Sequence, residues 1–207
     1  MTLAPGPLQH QFEDNHRLFR DLNEDGLLKP FRQRVGLPAP GPDMAVGTIT
    51  LRTSVPLTAA FTDSFQAIAL DTMCRFCRAS TSATGDSATR QKVSRLVKGY
   101  AQTITSSGRF YVDYHLPAYT YDKMVCGLID AHEFAHDTLA LAVFKHAIDE
   151  LLAHLPEKAL TRPEQGARPH KDIAYTWDET YTLPENQFLA WRRSGDERYR
   201  QLAIVFF

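Results

Sequence analysis

His132-Glu133-Phe134-Ala135-His136 matches HExxH, in which two imidazoles one helical turn apart hold zinc while the glutamate activates water. The match has a weakness of position. His136 fills the glycine slot of a Gly-Asp turn that recurs between helices, which puts it at or past a helix end. There the one-turn geometry fails, and no downstream motif supplies an obvious third ligand. The competing reading of His132, Glu133 and His136 is a surface histidine pair with an acidic neighbour. Cys74-Arg-Phe-Cys77 is a CxxC, which could be redox-active or half of a zinc site, but no second CxxC and no thioredoxin-type strand–helix unit accompanies it. Cys126 falls on an apolar helical face, where a buried thiol is the usual explanation. Asp21-x-Asn23-x-Asp25-Gly26 opens like a calcium loop. Its twelfth position is Arg32 where a bidentate glutamate is needed, and Pro30 interrupts it, so it reads as a helix end followed by a turn. The richest stretch is Tyr175-Thr-Trp177-Asp178-Glu179-Thr-Tyr181, followed by Leu183-Pro184-Glu185. Aromatic rings stack on the apolar faces of sugars, and carboxylates accept from hydroxyls or act as acid and base. A loop with tucked aromatics and solvated acids fits the same residues.

The elements that must position these groups are helices. Phe12, Phe19 and Leu22 share one face of a segment from about Leu8 to Leu22. Asn23–Gly26 closes that segment, and 36–43 is a turn-rich connector. Asp86 or Ser87 can cap a helix that places Val93, Leu96, Val97, Tyr100 and Ile104 on one face, with Gly108 as its stop. A further helix starts near Thr120 and aligns Tyr121, Met124, Val125, Leu128 and Ile129. The next carries Leu141, Phe144, Ile148, Leu151 and Leu155 and ends at Pro156. After a polar loop over 157–182, short helices run from Pro184 to about Arg193 and from Asp196 onward. Gly85-Asp86, His136-Asp137 and Gly195-Asp196 each stand between one helix and the next, a weak repeat expected of αα-hairpins laid side by side. The expected fold class is all-α. Residues 45–80 keep neither a helical nor a strand period.

The chain has 207 residues and a formal net charge of −1, with 43% hydrophobic and 23% charged residues. That balance is globular, and it carries no electrostatic footprint for nucleic acid or an anionic membrane. No apolar run reaches the length of a membrane span, and the N-terminus has no basic region followed by an apolar stretch, so the default compartment is cytoplasmic. Three cysteines are too few, and odd in number, for a disulfide scaffold.

Three long stretches carry a resemblance: LNEDGLLKPFRQRVGLPAPG, SGRFYVDYHLPAYTYDKMVCGLIDAHEFAHD and PEKALTRPEQGARPHKD with the following YTWDETYTLPEN. Over about 10–44 and 83–205 the chain resembles the N-terminal half of the catalytic domain of glycoside hydrolase family 127, typified by β-L-arabinofuranosidases. The resemblance implies an (α/α)6 toroid, here incomplete, and a retaining hydrolase with a zinc-bound cysteine nucleophile and a glutamate acid/base. It also implies that those catalytic groups lie beyond Phe207, since none of this chain's cysteines matches them. No cofactor is therefore expected in this chain, although zinc is expected in complete family enzymes. Two substrate-contacting histidines of the family fall near Gly127 and Leu183, and neither is histidine here, while Pro184-Glu185 matches the family's Pro-Glu. Catalytic residues are left unassigned.

Residues 45–80 depart from the family altogether. A one-base shift in the back-translation of Met-Ala-Val-Gly-Thr-Ile-Thr yields GGWYDN, close to the family's GGWYD after its PAPG turn, so an out-of-frame segment is expected there, and a second shift at the tail AIVFF. The expected protein is a single partial toroid of six or seven helices, inactive alone, whose open helix faces favour self-association. Carbohydrate is the expected ligand, with Tyr121, Trp177, Asp178, Glu179 and Glu185 on the sugar site. The alternatives are a metallopeptidase built on His132, Glu133 and His136, and a non-catalytic helical-repeat module that binds a glycan or a protein.

Overall fold

Apolar residues recurring at three- and four-residue intervals, punctuated by Asp and Asn caps, leave this chain little choice but helix. A computed structural model describes residues 3–43, 86–107, 117–154, 158–159, 161, 163–164 and 183–207. Among them are seven α-helices and no strand: α1 Pro7–Asp21, α2 Glu24–Arg34, α3 Ser87–Ala101, α4 Pro117–Phe134, α5 Ala140–Leu151, α6 Leu183–Ser194 and α7 Glu197–Val205. None of the described helices is long and apolar enough to cross a membrane.

The expected faces of α3, α4 and α5 supply the core, with Leu141 of α5 only half-buried, whereas the expected face of α1, with Phe12, Phe19 and Leu22, buries no residue fully. Val93, Val97 and Tyr100 of α3 meet Val125, Leu128 and Ile129 of α4 and Phe144, Ile148 and Leu151 of α5, all nearly or fully buried. Edge-on ring contacts fix two of the junctions. Phe31 of α2 meets Tyr100 with centroids 5.5 Å apart, and Phe144 of α5 meets Tyr199 of α7 at 5.2 Å. The broadest packing is between sequence neighbours, α6 with α7 and α4 with α5, and α4 also packs on α6. This is the hairpin arrangement the repeat implied.

Three element expectations need correction, the first being α3, which ends at Ala101 rather than at Gly108 and leaves Ile104 beyond the helix. Asn23 does not merely close α1. Its side chain accepts the Gly26 amide at 2.8 Å and starts α2, which runs through Pro30 to Arg34 and buries Leu27, Leu28 and Phe31. Pro30 is tolerated because burial of that face outweighs the one lost backbone bond. The helix after His136 ends at Leu151 rather than at Pro156. At the contact between α2 and α3, Gly99 lets the helices close: a Cβ there would stand 2.3 Å from Leu28 Cδ1.

The recurring x-Asp pairs act as hinges. His136 has φ 56° and Gly195 φ 73°, left-handed conformations that stop a helix. Histidine is one of the few non-glycine residues that enters this region readily. The aspartate that follows then caps the next helix. Asp137 Oδ1 accepts from the Leu139 and Ala140 amides at 2.9 and 3.0 Å, and Asp196 Oδ1 from Arg198 at 3.0 Å. Asp86 does the same for Ala88 and Thr89.

Residues 44–85, with Cys74, Cys77 and the aperiodic stretch, lie outside the described residues. So do Gly108 and most of the polar loop, including Trp177, Asp178 and Glu179.

Candidate functional site

The HExxH segment sits at the end of α4, with His136 past the helix end, where its place in the Gly-Asp turn puts it. The helix stops at Phe134, so His132 is helical and half-buried, whereas His136 is exposed in the left-handed hinge beyond it. Glu133 is committed elsewhere: its Oε2 accepts from Arg193 Nε of α6 at 2.9 Å and from the Nη2 of the same guanidinium. This ion pair clamps the C-terminal ends of α4 and α6 together. Among the described residues, no three His, Cys, Asp or Glu side chains converge in a way that could hold a metal ion. Cys126, expected to be a buried thiol, is only half-buried on α4. Asp21 and Asp25 also go to separate tasks, Asp25 receiving Arg32 Nη1 at 2.6 Å.

Of the residues placed on a sugar site, the structure describes Tyr121 and Glu185. Tyr121 is 1% exposed and belongs to the core. Glu185 is exposed in the first turn of α6, where an acidic side chain suits the helix dipole. Between them lies a group that the motif reading passed over. Asp122, one residue past Tyr121, is 4% exposed and accepts through Oδ1 from Asn186 Nδ2, the residue after Glu185. The same Asn186 amide lies 3.3 Å from the Asp122 carbonyl oxygen, and Lys123 Nζ donates to Asp122 Oδ2 at 2.9 Å.

This α4–α6 junction gathers two carboxylates, an ammonium and an amide. Burial pushes the Asp122 carboxyl above its ordinary value, and the negative charge of Glu185 pushes the same way. The hydrogen bonds from Lys123 and Asn186 and the Lys123 charge act against that rise without cancelling it. Chemically, the junction offers an acceptor on Glu185, a donor on Lys123 and a carboxyl that holds its proton longer than a solvated one. These are the partners a polyhydroxylated ligand needs. The sequence did carry a signal for Asp122. It stands three residues before Val125, at the edge of the apolar stripe, where a charged side chain must find a partner or pay for desolvation.

The described geometry thus joins α4 to α6 through Asp122 and Asn186 and, at their far ends, through the Glu133–Arg193 ion pair of the HExxH segment. No curated protein and no solved structure matches the chain. A family model does: that of the β-L-arabinofuranosidase, GH127 catalytic domain, which matches residues 1–207, and the chain belongs to that family.

Proposed function

From that membership we propose that the chain forms carbohydrate-binding surface of a glycoside hydrolase catalytic domain, with its helical hairpins laid out as part of an (α/α) toroid. The observation that carries this reading is the match of the family model along the whole chain. It is supported by the junction where Asp122, Lys123, Glu185 and Asn186 meet. In this reading Glu185 accepts from substrate hydroxyls, Lys123 donates to them, and Asn186 holds Asp122 in place. Trp177, Asp178 and Glu179 would complete the site from the preceding loop, Trp177 by stacking.

The zinc–cysteine centre that the family resemblance implies does not fit the described residues, which bring together no set of donors for it. The role proposed for this chain on its own is binding without turnover.

The test pairs binding with catalysis. Calorimetric titration with short arabinofuranosides and a panel of other pentosides and hexosides should show weak binding that Glu185→Ala removes, with no hydrolysis of the matching aryl glycosides. Turnover by the isolated chain, or binding indifferent to Glu185, would overturn the reading. Peptide hydrolysis lost on His132→Ala would favour the metallopeptidase instead.

A further inference from the structure

At the α4–α6 junction Asn186 gives its amide to Asp122, and Lys123 gives its ammonium to the same carboxylate. Gln187, the next residue on α6, is treated differently. It is 1% exposed, and neither its Nε2 nor its Oε1 has a hydrogen-bond partner. A buried amide in that state forfeits the bonds it makes to water in the unfolded chain. Among the described residues, no other side-chain amide is left with both ends buried and unmet.

Its place on the helix gives that amide a direction. Leu183 and Ala190, about one turn to either side on α6, are fully buried, so Gln187 lies on the inward stripe of the helix. Helical side chains lean toward the N-terminus of their own helix. That carries Gln187 back over the first turn, where Glu185 and Asn186 stand. The side chain is long and flexible, and its amide can swing within that turn while the helix stays in place.

We propose that Gln187 is the specificity-determining residue of the carbohydrate site, taking two neighbouring hydroxyls of the sugar through the two ends of its amide. The inference rests on the reading of the α4–α6 junction as carbohydrate-binding surface. A primary amide donates and accepts in one plane, so it matches a pair of hydroxyls of which one accepts and the other donates. The other groups of the junction cannot do both: an ionised Glu185 only accepts, and Lys123 only donates. Glu185 and Lys123 hold the ligand at the exposed rim, and Gln187 reads which hydroxyls it carries. A sugar lacking one of the pair is rejected, because the amide is then left without a partner again. Binding exchanges the unmet amide of the free chain for a paired one, so Gln187 costs the free chain stability that the ligand restores.

Gln187→Met keeps the length of the side chain and removes the amide. On the full chain it should raise the Tm of the free protein by about 2–4 °C, and in calorimetric titration it should weaken binding of the sugar about tenfold. The probe is the best-bound methyl glycoside of the panel above, methyl β-L-arabinofuranoside being the first choice. Its 2-deoxy and 3-deoxy analogues separate a ligand contact from a packing effect. Wild type should bind at least one of them about tenfold more weakly than the parent sugar, and Gln187→Met should bind that analogue and the parent alike. Gln187→Leu should repeat both results with a different apolar shape. A variant pair that is stabilised yet binds as wild type does, that is destabilised, or that still discriminates against the deoxy sugar would overturn the proposal. A wild-type chain that binds no glycoside of the panel would overturn the carbohydrate reading itself, and the role of Gln187 with it.

Discussion

Lys92→Met isolates a fastening between α1 and α3, in which Lys92 Nζ donates to the carbonyl oxygens of Arg20 and Leu22. Lys92 is 4% exposed, and its ammonium serves carbonyl oxygens at the C-terminal end of α1, that of Arg20 at 2.6 Å. A cation there also meets the negative end of the helix dipole. Methionine keeps the length and apolar stem of the side chain and removes only the charged donors. Two charge-assisted bonds contribute about 1.5–3 kcal/mol each in gross terms. Relief of the ammonium's desolvation returns part of that, and carbonyls at a helix end can turn to water. The net loss should be about 1–2 kcal/mol, or about 3–6 °C in Tm for a chain of this size. It should appear first as faster amide exchange in α1. Burial, the leading cause, holds the Lys92 amine below its ordinary 10.5. In the interval just below 10.5 the unfolded chain binds a proton that the folded chain has released, so this group's contribution to stability rises with pH there. Denaturation of wild type and variant across that interval should show their difference changing with that sign. A variant within about 0.5 kcal/mol of wild type, with unchanged α1 exchange, would refute the fastening role.

Gly99→Ala should cost about 1–2 kcal/mol, because the new methyl displaces the buried Leu28 and outweighs the gain in helix propensity; equilibrium denaturation that finds stabilisation would contradict the close α2–α3 approach. In Asp122→Asn, a contribution specific to the acid disappears. Above the ordinary value of 3.8, folded Asp122 keeps a proton that the unfolded chain has lost, so stability relative to the variant should fall with rising pH until the folded carboxyl ionises. A difference that rises with pH would reverse the assignment. His132→Ala should leave the zinc content of the purified chain unchanged by elemental analysis, and loss of a stoichiometric zinc would restore HExxH as a metal site. Nucleotide sequence through codons 44–82 should restore a GGWYD-like run on a single-base shift, whereas an uninterrupted native frame would make residues 45–80 a genuine replacement.

Helix faces were legible wherever an apolar stripe recurred, as on α3 with Val93, Val97 and Tyr100, because burial of such a stripe specifies both period and orientation. The x-Asp hinges were legible for a related reason: a left-handed stop and a capping carboxylate are each tied to a few residue types. α2 was not. Its start is the same Asn-Glu-Asp-Gly that reads as a turn, and Pro30 argues against a helix unless one knows that Leu27, Leu28 and Phe31 have a partner to cover them. The candidate site was half legible. Glu185 stood in a recognisable motif, whereas Asp122 and Asn186 are 64 positions apart, and nothing local announces that one completes the other. HExxH shows the converse, since its spacing is right for zinc and its backbone is not.

The hinge at Gly195-Asp196 also bears on the order in which the molecule assembles. With only two residues between α6 and α7, the broadest interface among the described helices closes a loop of minimal length and incurs little entropy of closure. The His16–Thr89 contact spans 73 positions and must wait for a much longer segment to come together. Folding should therefore begin in the C-terminal hairpin and reach α1 last, and a cell making this protein would hold the chain longest in a form whose first helix has nothing yet to rest on.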